Sequence, residues 1–115
     1  MNFTFNKNGI CENPIIDRYE PKTRYRIKVA IAKKNKKWVV GLSASLSSGG
    51  FGYGVGARPR EFKTKEEALH QGWSEIVEYL KTEPSKSHCY IIEPAQVHKL
   101  MSYAEAALAG QLELF

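Results

Sequence analysis

The chain has 115 residues, of which 43% are hydrophobic, so it is long enough for one folded domain and too apolar for general disorder. No apolar run approaches the roughly 18–20 residues of a membrane span, and the residues after Met1 lack the apolar core of an export signal. Two cysteines, Cys11 and Cys89, are too few for a disulfide framework and are typical of free thiols in a reducing compartment. We expect a cytoplasmic domain without membrane contact.

The formal net charge of +5 is concentrated in one region of the chain. Nine basic residues lie there: Arg18, Lys22, Arg24, Arg26, Lys28, Lys33, Lys34, Lys36 and Lys37. Only Asp17 and Glu20 lie nearby with the opposite sign. Such clustering favours an anionic partner, of which nucleic acid is the commonest, although surplus charge also serves solubility.

Residues 1–22 are predicted to form an irregular N-terminal arm, because Gly9, Pro14 and Pro21 interrupt regular secondary structure. Phe3 and Phe5 give the only strand-like alternation. The arm is expected either to lie over the core or to add an edge strand.

Three strands follow, predicted at 24–31, 38–46 and about 51–57. Apolar side chains occupy every second position along each of them, as in strands that bury one face. The polar segment 33–37 predicts a hairpin turn between the first two, and 47–50 predicts the next turn.

A helix is predicted from Thr64, which would cap it together with Glu67 in a capping box. Its apolar stripe consists of Leu69, Trp73, Ile76, Val77 and Leu80. Segment 82–87 reads as a break and 90–92 as a short strand. Pro94 suits the first position of a second helix, and Gly110 its C-terminal stop.

The predicted fold class is α+β: a three-stranded antiparallel β-meander packed on an α-helix, with a second C-terminal helix and a flexible tail. The domain would cover residues 23–110, with the arm at 1–22 and the tail at 111–115. Trp38 and Trp73 should both be buried.

The sheet face away from the first helix is predicted to be flat and basic. Its residues would be Arg24, Arg26, Lys28, Ser43, Ser45, Gly52, Gly54 and Gly56. Alternating glycines weaken a strand, which indicates close approach of another group. That group is either a phosphate backbone, the N-terminal arm or a second copy in a homodimer. Alternatively, the glycines relieve sheet twist.

The residues expected to contact nucleic acid are the basic ones of the first strand and hairpin: Arg24, Arg26, Lys28, Lys33, Lys34, Lys36 and Lys37. Sheet platforms that bind single strands normally present aromatic rings, and none is predicted on this face.

No catalytic or metal-binding pattern is present. His70, His88 and His98 lack ligand spacing, and no CxxC or HExxH motif occurs. The glycine-rich segment 50–56 is not followed directly by a helix, as a dinucleotide-binding loop requires. We therefore predict a protein that is not an enzyme and needs no metal or cofactor; a small hydrolase or nuclease is the remaining alternative.

The tail, Gln111-Leu112-Glu113-Leu114-Phe115, resembles the pentapeptide by which bacterial polymerases and repair proteins dock on the DNA sliding clamp. The resemblance implies that Gln111 hydrogen-bonds in an outer subsite, that Leu114 and Phe115 fill a deep apolar pocket, and that Leu112 lies between them. Glu113 replaces the more usual serine or aspartate. Alternatively, Leu112 and Phe115 fold back on the protein's own core.

The body resembles small proteins encoded by phages and mobile elements beside DNA-modification genes. Both have tryptophan, glycine and serines, then a glycine-rich strand before a helix. Taken together with the tail and the basic strand, the resemblance favours a non-catalytic accessory factor of bacterial or phage DNA metabolism that docks on the clamp and contacts DNA through the basic strand. The alternative is a mobile-element inhibitor that binds a host defence or replication protein without contacting DNA.

Overall fold

The computed structural model describes residues 2–47, 49–86 and 92–110, with the backbone alone for 83–86. The elements are β1 (Ile15–Lys22), β2 (Tyr25–Lys34), β3 (Lys37–Leu46), β4 (Gly49–Tyr53), α1 (Lys65–Lys86) and α2 (Pro94–Leu108). The strands form one antiparallel sheet in the order β1-β2-β3-β4. The α+β class is confirmed, but the predicted three-stranded meander is one strand short.

The additional strand is β1, which pairs with β2 from Ile15 opposite Ile31 to Lys22 opposite Tyr25. Its burial alternates strictly, although Pro21 and the charged residues hide this pattern in the sequence. Of the two roles considered for residues 1–22, the edge strand is found at Ile15–Lys22.

The β2–β3 hairpin turns at Asn35 and Lys36, which have φ values of 51° and 69°. Two residues with positive φ between paired Lys34 and Lys37 form a turn of the type whose twist matches the strands. The predicted hairpin is confirmed. Arg24, by contrast, lies in the β1–β2 turn with φ 74° and does not begin the strand.

Both helices pack on one face of the sheet and enclose the main core. α1 lies over β2 and β3, whereas α2 lies over β1 and β2. The largest fully buried side chains of this layer are Trp73, Ile27, Ile31, Leu42, Leu46, Ile76, Leu100 and Val29. Trp38 is only half-buried at the margin, so the prediction that both tryptophans are buried is correct for Trp73 alone.

The helix ends follow the capping signals. The Glu67 amide donates to Thr64 Oγ1 at 3.2 Å, Pro94 is the first residue of α2, and Gly110 follows α2 with φ 76°. The predicted break at 82–87 is wrong, because α1 continues to Lys86. Thr82 Oγ1 satisfies its hydrogen bond within the helix by donating to the Glu78 carbonyl at 3.0 Å. Most of the predicted strand 90–92 lies outside the described residues.

Residues 2–14 cover part of the other face of the sheet and create a second, smaller core. Its buried members are Cys11, Ala30, Ala32, Val39 and Val55, with Phe3 and Phe5 packed against them. The Cys11 amide donates to the Val55 carbonyl at 2.9 Å, which ties this segment to the chain beyond β4.

The last strand is shorter than predicted, since β4 ends at Tyr53. Beyond it the chain crosses over Gly41, where an added Cβ would lie 2.5 Å from the Val55 backbone nitrogen. Val55 consequently belongs to the second core. The alternation predicted for residues 51–57 would instead place its side chain on the sheet face that packs on the helices. Within the described parts of the chain, neither helix is long and apolar enough to cross a membrane.

Candidate nucleic-acid interface and the arginine cleft

The open end of the second sheet face carries a basic group of side chains. Arg26 and Lys28 of β2 lie beside Ser45 and Ser43 of β3, and those serines lie beside Gly50 and Gly52 of β4. Arg18 of β1 pairs with Lys28 and extends the group by one strand. Since the neighbours on β3 and β4 are small, the basic side chains border a flat surface.

Arg18 was not among the predicted contact residues, because β1 was not recognised as a strand. Arg18, Arg26 and Lys28 form no ion pair within the described ranges. Their charges are therefore available to phosphate groups. We call Arg18, Arg26 and Lys28 the basic face.

The other predicted basic residues do not join this surface. Lys28 and Lys34 are six positions apart in β2, a distance of about 20 Å. Ala30 and Ala32, which lie between them on the same face, are covered by residues 2–14. Arg24 lies in the adjacent turn. The predicted site is thus divided into the basic face and the lysine hairpin.

Two lysines of the hairpin already contact aromatic rings. Lys34 Nζ lies 5.3 Å from the ring centre of Phe5, and Lys33 Nζ lies 5.9 Å from that of Trp38. Such cation–π contacts orient the ammonium groups. Lys36 and Lys37 are exposed at the tip.

The glycines of this region have internal explanations. A Cβ at Gly54 would lie 2.7 Å from Ile10 Cγ2, and one at Gly56 would overlap the Gly9 carbonyl oxygen, well inside van der Waals contact. Of the alternatives for these two positions, the structure shows close approach of the N-terminal arm. Gly50 and Gly52 instead permit close approach to the β3 backbone. A homodimer through this face stays a prediction.

A separate cleft opens on the helical side of the sheet, between α1 and the loop that follows β4. It has a volume of about 270 Å³ and is bounded by Tyr53, Arg58, Arg60, Gln71 and Glu75, with Val40, Pro59 and Phe62 as apolar walls. We call it the arginine cleft. The backbone bridge between Phe62 and Trp38 closes the loop, with N–O distances of 2.7 and 2.8 Å.

A hydrogen-bonded carboxylate occupies one side of the arginine cleft. The Tyr53 hydroxyl and Gln71 Nε2 both donate to Glu75 Oε2, each at 2.8 Å. Burial, together with the hydrogen bond to Glu75, raises the pKa of Tyr53 far above its ordinary value. The hydroxyl therefore remains a donor and holds the carboxylate in place.

The arginines border the cleft on its loop side. The Arg58 guanidinium carbon lies 4.3 Å from the Tyr53 ring centre, and that of Arg60 lies 5.1 Å from the Phe62 ring centre. Neither arginine forms an ion pair within the described part of the chain. Neither arginine is among the contact residues predicted from the sequence, although the Arg-Pro-Arg triplet beside a glycine-rich strand is a signal that points to them.

The other predicted positions that the structure describes bring together no constellation of reactive groups. His70 and His98 are exposed and far apart in sequence, while His88 lies outside the described residues. No cluster of three or more metal-ligating side chains occurs among the residues described. The tail residues Gln111, Leu112, Leu114 and Phe115 also lie outside them.

Comparisons with known proteins return no match to a protein-family model, a curated protein or a solved structure. The tail sequence, the basic face and the arginine cleft are therefore the features that bear on function, and each favours a different kind of contact.

Proposed function

We propose that this protein is a non-catalytic accessory factor of bacterial or phage DNA metabolism that docks on the DNA sliding clamp through residues 111–115. The observation that carries the proposal is the pentapeptide itself, in which Gln111, Leu112, Leu114 and Phe115 all agree with the clamp-binding pattern. A short extended peptide can bind in this way because a few apolar anchors supply most of the energy.

The position of the peptide in the chain supports this role. α2 ends at Leu108, and Gly110 has the positive φ typical of a helix stop. Because the helix stop separates the peptide from α2, we expect that removing the anchors leaves folding intact.

The basic face supports contact with DNA in the same complex. Arg18, Arg26 and Lys28 are available to phosphates, and a clamp-bound protein lies close to duplex DNA. Tethering raises the effective concentration of a weak DNA-binding surface, so modest intrinsic affinity suffices.

Clamp docking is tested by replacing both anchors with alanine, Leu114→Ala and Phe115→Ala, and measuring affinity for a purified bacterial clamp by biolayer interferometry. Two lost anchors should weaken binding by at least about 100-fold, since each hot-spot side chain contributes about 2 kcal/mol or more. The control is Glu113→Ser, which restores the more usual residue and should preserve binding.

Circular dichroism and thermal melting of the same variants separate docking from a structural role. We expect an unchanged melting temperature for the double variant. Clamp affinity that does not depend on Leu114 and Phe115 would contradict the proposal. A melting temperature many degrees lower would instead show that the tail packs on the protein's own core.

A further inference from the structure

We propose that the arginine cleft binds one nucleoside monophosphate unit, with its phosphate between Arg58 and Arg60 and the amino group of its base donating to Glu75. This inference deepens the proposed DNA contact, on which it rests for the choice of nucleotide over other phosphorylated ligands. The site is distinct from the basic face, which lies on the other side of the sheet.

The two arginines indicate where the phosphate would bind. Stacking on Tyr53 and Phe62 holds both guanidinium groups beside the cleft, and neither has an anionic partner among the described residues. Both arginines line the cleft, and planar guanidinium groups match the geometry and charge of a phosphate, which accepts several hydrogen bonds at once.

Glu75 indicates where the base would bind. Its Oε2 already accepts two hydrogen bonds, from Tyr53 and Gln71, whereas no hydrogen bond to Oε1 is found among the described residues. A carboxylate oxygen only accepts, so its ligand must donate. Glutamate accepting from the exocyclic amino group of cytosine is an established pairing.

The size of the cleft favours one base without a pairing partner. A volume of about 270 Å³ lies near the lower end of ligand pockets. Val40, Pro59 and Phe62 provide apolar walls for the faces of a planar ring. The ligand is therefore a free mononucleotide or an unpaired nucleotide of a single strand.

The first experiment compares cytidine and uridine 5′-monophosphates by isothermal titration calorimetry at low salt. These two ligands differ at position 4 of the ring, where cytidine has an amino donor and uridine a carbonyl acceptor. We expect the cytidine ligand to bind at least tenfold more tightly. Equal affinities, or no binding of the cytidine ligand, would overturn the proposal.

Substitutions assign the two halves of the ligand. Arg58→Gln and Arg60→Gln should each weaken the binding of both nucleotides by at least tenfold. Arg18→Gln, on the other face of the sheet, is the matched control. In Glu75→Gln, the amide oxygen is expected to face Tyr53 and Gln71 and the NH2 group to face the ligand. The preference for cytidine should then disappear or reverse.

Tyr53→Phe provides a second test that leaves both the carboxylate and the ring beneath Arg58 in place. Releasing Oε2 from one hydrogen bond should loosen the carboxylate and reduce the cytidine preference without reducing phosphate affinity. Cytidine preference that is unchanged in both Glu75→Gln and Tyr53→Phe would refute the assignment of the base site.

Competition distinguishes the two sources of the nucleotide. Displacement of cytidine monophosphate by single-stranded oligodeoxycytidine, and not by oligothymidine, identifies nucleic acid as the source. Lack of displacement identifies the free nucleotide. Failure of the clamp proposal would be visible separately, because the tail variants leave Arg58, Arg60 and Glu75 unchanged.

Discussion

The Tyr103 hydroxyl of α2 donates to both carboxylate oxygens of Asp17 in β1, at 3.0 and 2.9 Å. The Tyr103 ring stacks on that of Tyr19, with centroids 4.5 Å apart and planes 3° from parallel. This contact attaches the second helix to the edge strand. Burial raises the pKa of Asp17, and the hydrogen bond from Tyr103 offsets only part of that increase.

The raised pKa of Asp17 predicts how stability varies with pH. A carboxyl group whose pKa is higher in the folded than in the unfolded protein stabilises folding when protonated, and this contribution is lost as pH rises through the folded pKa. Asp17→Asn keeps an acceptor for Tyr103 without the charge. We expect it to be at least as stable as the native protein at pH 7, with any gain disappearing near pH 3.

Urea denaturation at both pH values measures this difference, and Glu20→Gln, an exposed carboxylate of the same strand, controls for net charge. Marked destabilisation by Asp17→Asn at pH 7 would show that the ionised carboxylate is the favoured partner of Tyr103. Tyr103 itself has a pKa raised to about 12, mainly by burial, so its hydroxyl stays a donor throughout this range.

Trp73 is the central side chain of the main core, with 1% of its surface exposed. Trp73→Ala should cost roughly 3–5 kcal/mol, as large core deletions do. That loss is a large share of the stability of a small domain. Trp38→Ala should cost clearly less, because Trp38 is half-buried. Equal losses in urea denaturation would place Trp38 in the core.

Trp73 Nε1 is buried without a hydrogen-bond acceptor among the described residues. Trp73→Phe removes this donor and keeps an aromatic ring, so it should lose much less stability than Trp73→Ala. If both substitutions cost the same, the indole nitrogen has a partner that stabilises the fold.

Gly41 allows the chain beyond β4 to cross the sheet at close range. A Cβ at this position would lie 2.5–2.8 Å from backbone atoms of Val55, Gly54 and Tyr53. Backbone atoms cannot rotate away, so Gly41→Ala should destabilise the protein by about 1–3 kcal/mol or more. Thermal melting and urea denaturation measure the loss.

Gly54→Ala is the matched control for Gly41→Ala. Its Cβ would meet the Ile10 side chain, at 2.7 Å from Cγ2, and a side chain can adjust. Its loss should be smaller, and Ile10→Ala should relieve the clash. If Gly41→Ala and Gly54→Ala destabilise the protein equally, the backbone segment that crosses over Gly41 is not rigid.

DNA binding by the basic face should depend strongly on salt. Each phosphate contact contributes about 0.9 to the slope of log affinity against log salt for duplex DNA. Replacing Arg18, Arg26 and Lys28 with glutamine should therefore lower the slope by up to about 3 and weaken binding at about 50 mM salt. Fluorescence anisotropy with labelled duplexes of unrelated sequence provides the measurement.

Replacing Lys63, Lys81 and Lys99 removes the same charge from exposed positions outside the sheet and should have a much smaller effect. Lys36→Gln with Lys37→Gln tests the hairpin separately. No binding by the native chain at about 50 mM salt would favour the alternative of an inhibitor that binds a host protein without DNA contact.

The local sequence determined those elements that depend only on interactions between neighbouring residues. The alternation in β2 and β3, the polar hairpin, the N-cap at Thr64 and the Pro94 and Gly110 boundaries of α2 were all predictable. In each case neighbouring residues supply the physical cause: period-two burial, a hydrogen bond to a helix end, or a restricted backbone angle.

Only tertiary structure decided which surfaces remain open. β1 depends on pairing with β2, and the N-terminal segment covers Ala30 and Ala32, so one predicted basic surface became two. The arginine cleft brings together residues of β4, the loop after it and α1. No periodic pattern in the sequence links residues of these three segments. Contacts between residues distant in sequence depend on how the whole chain packs, and a local pattern carries little information about them.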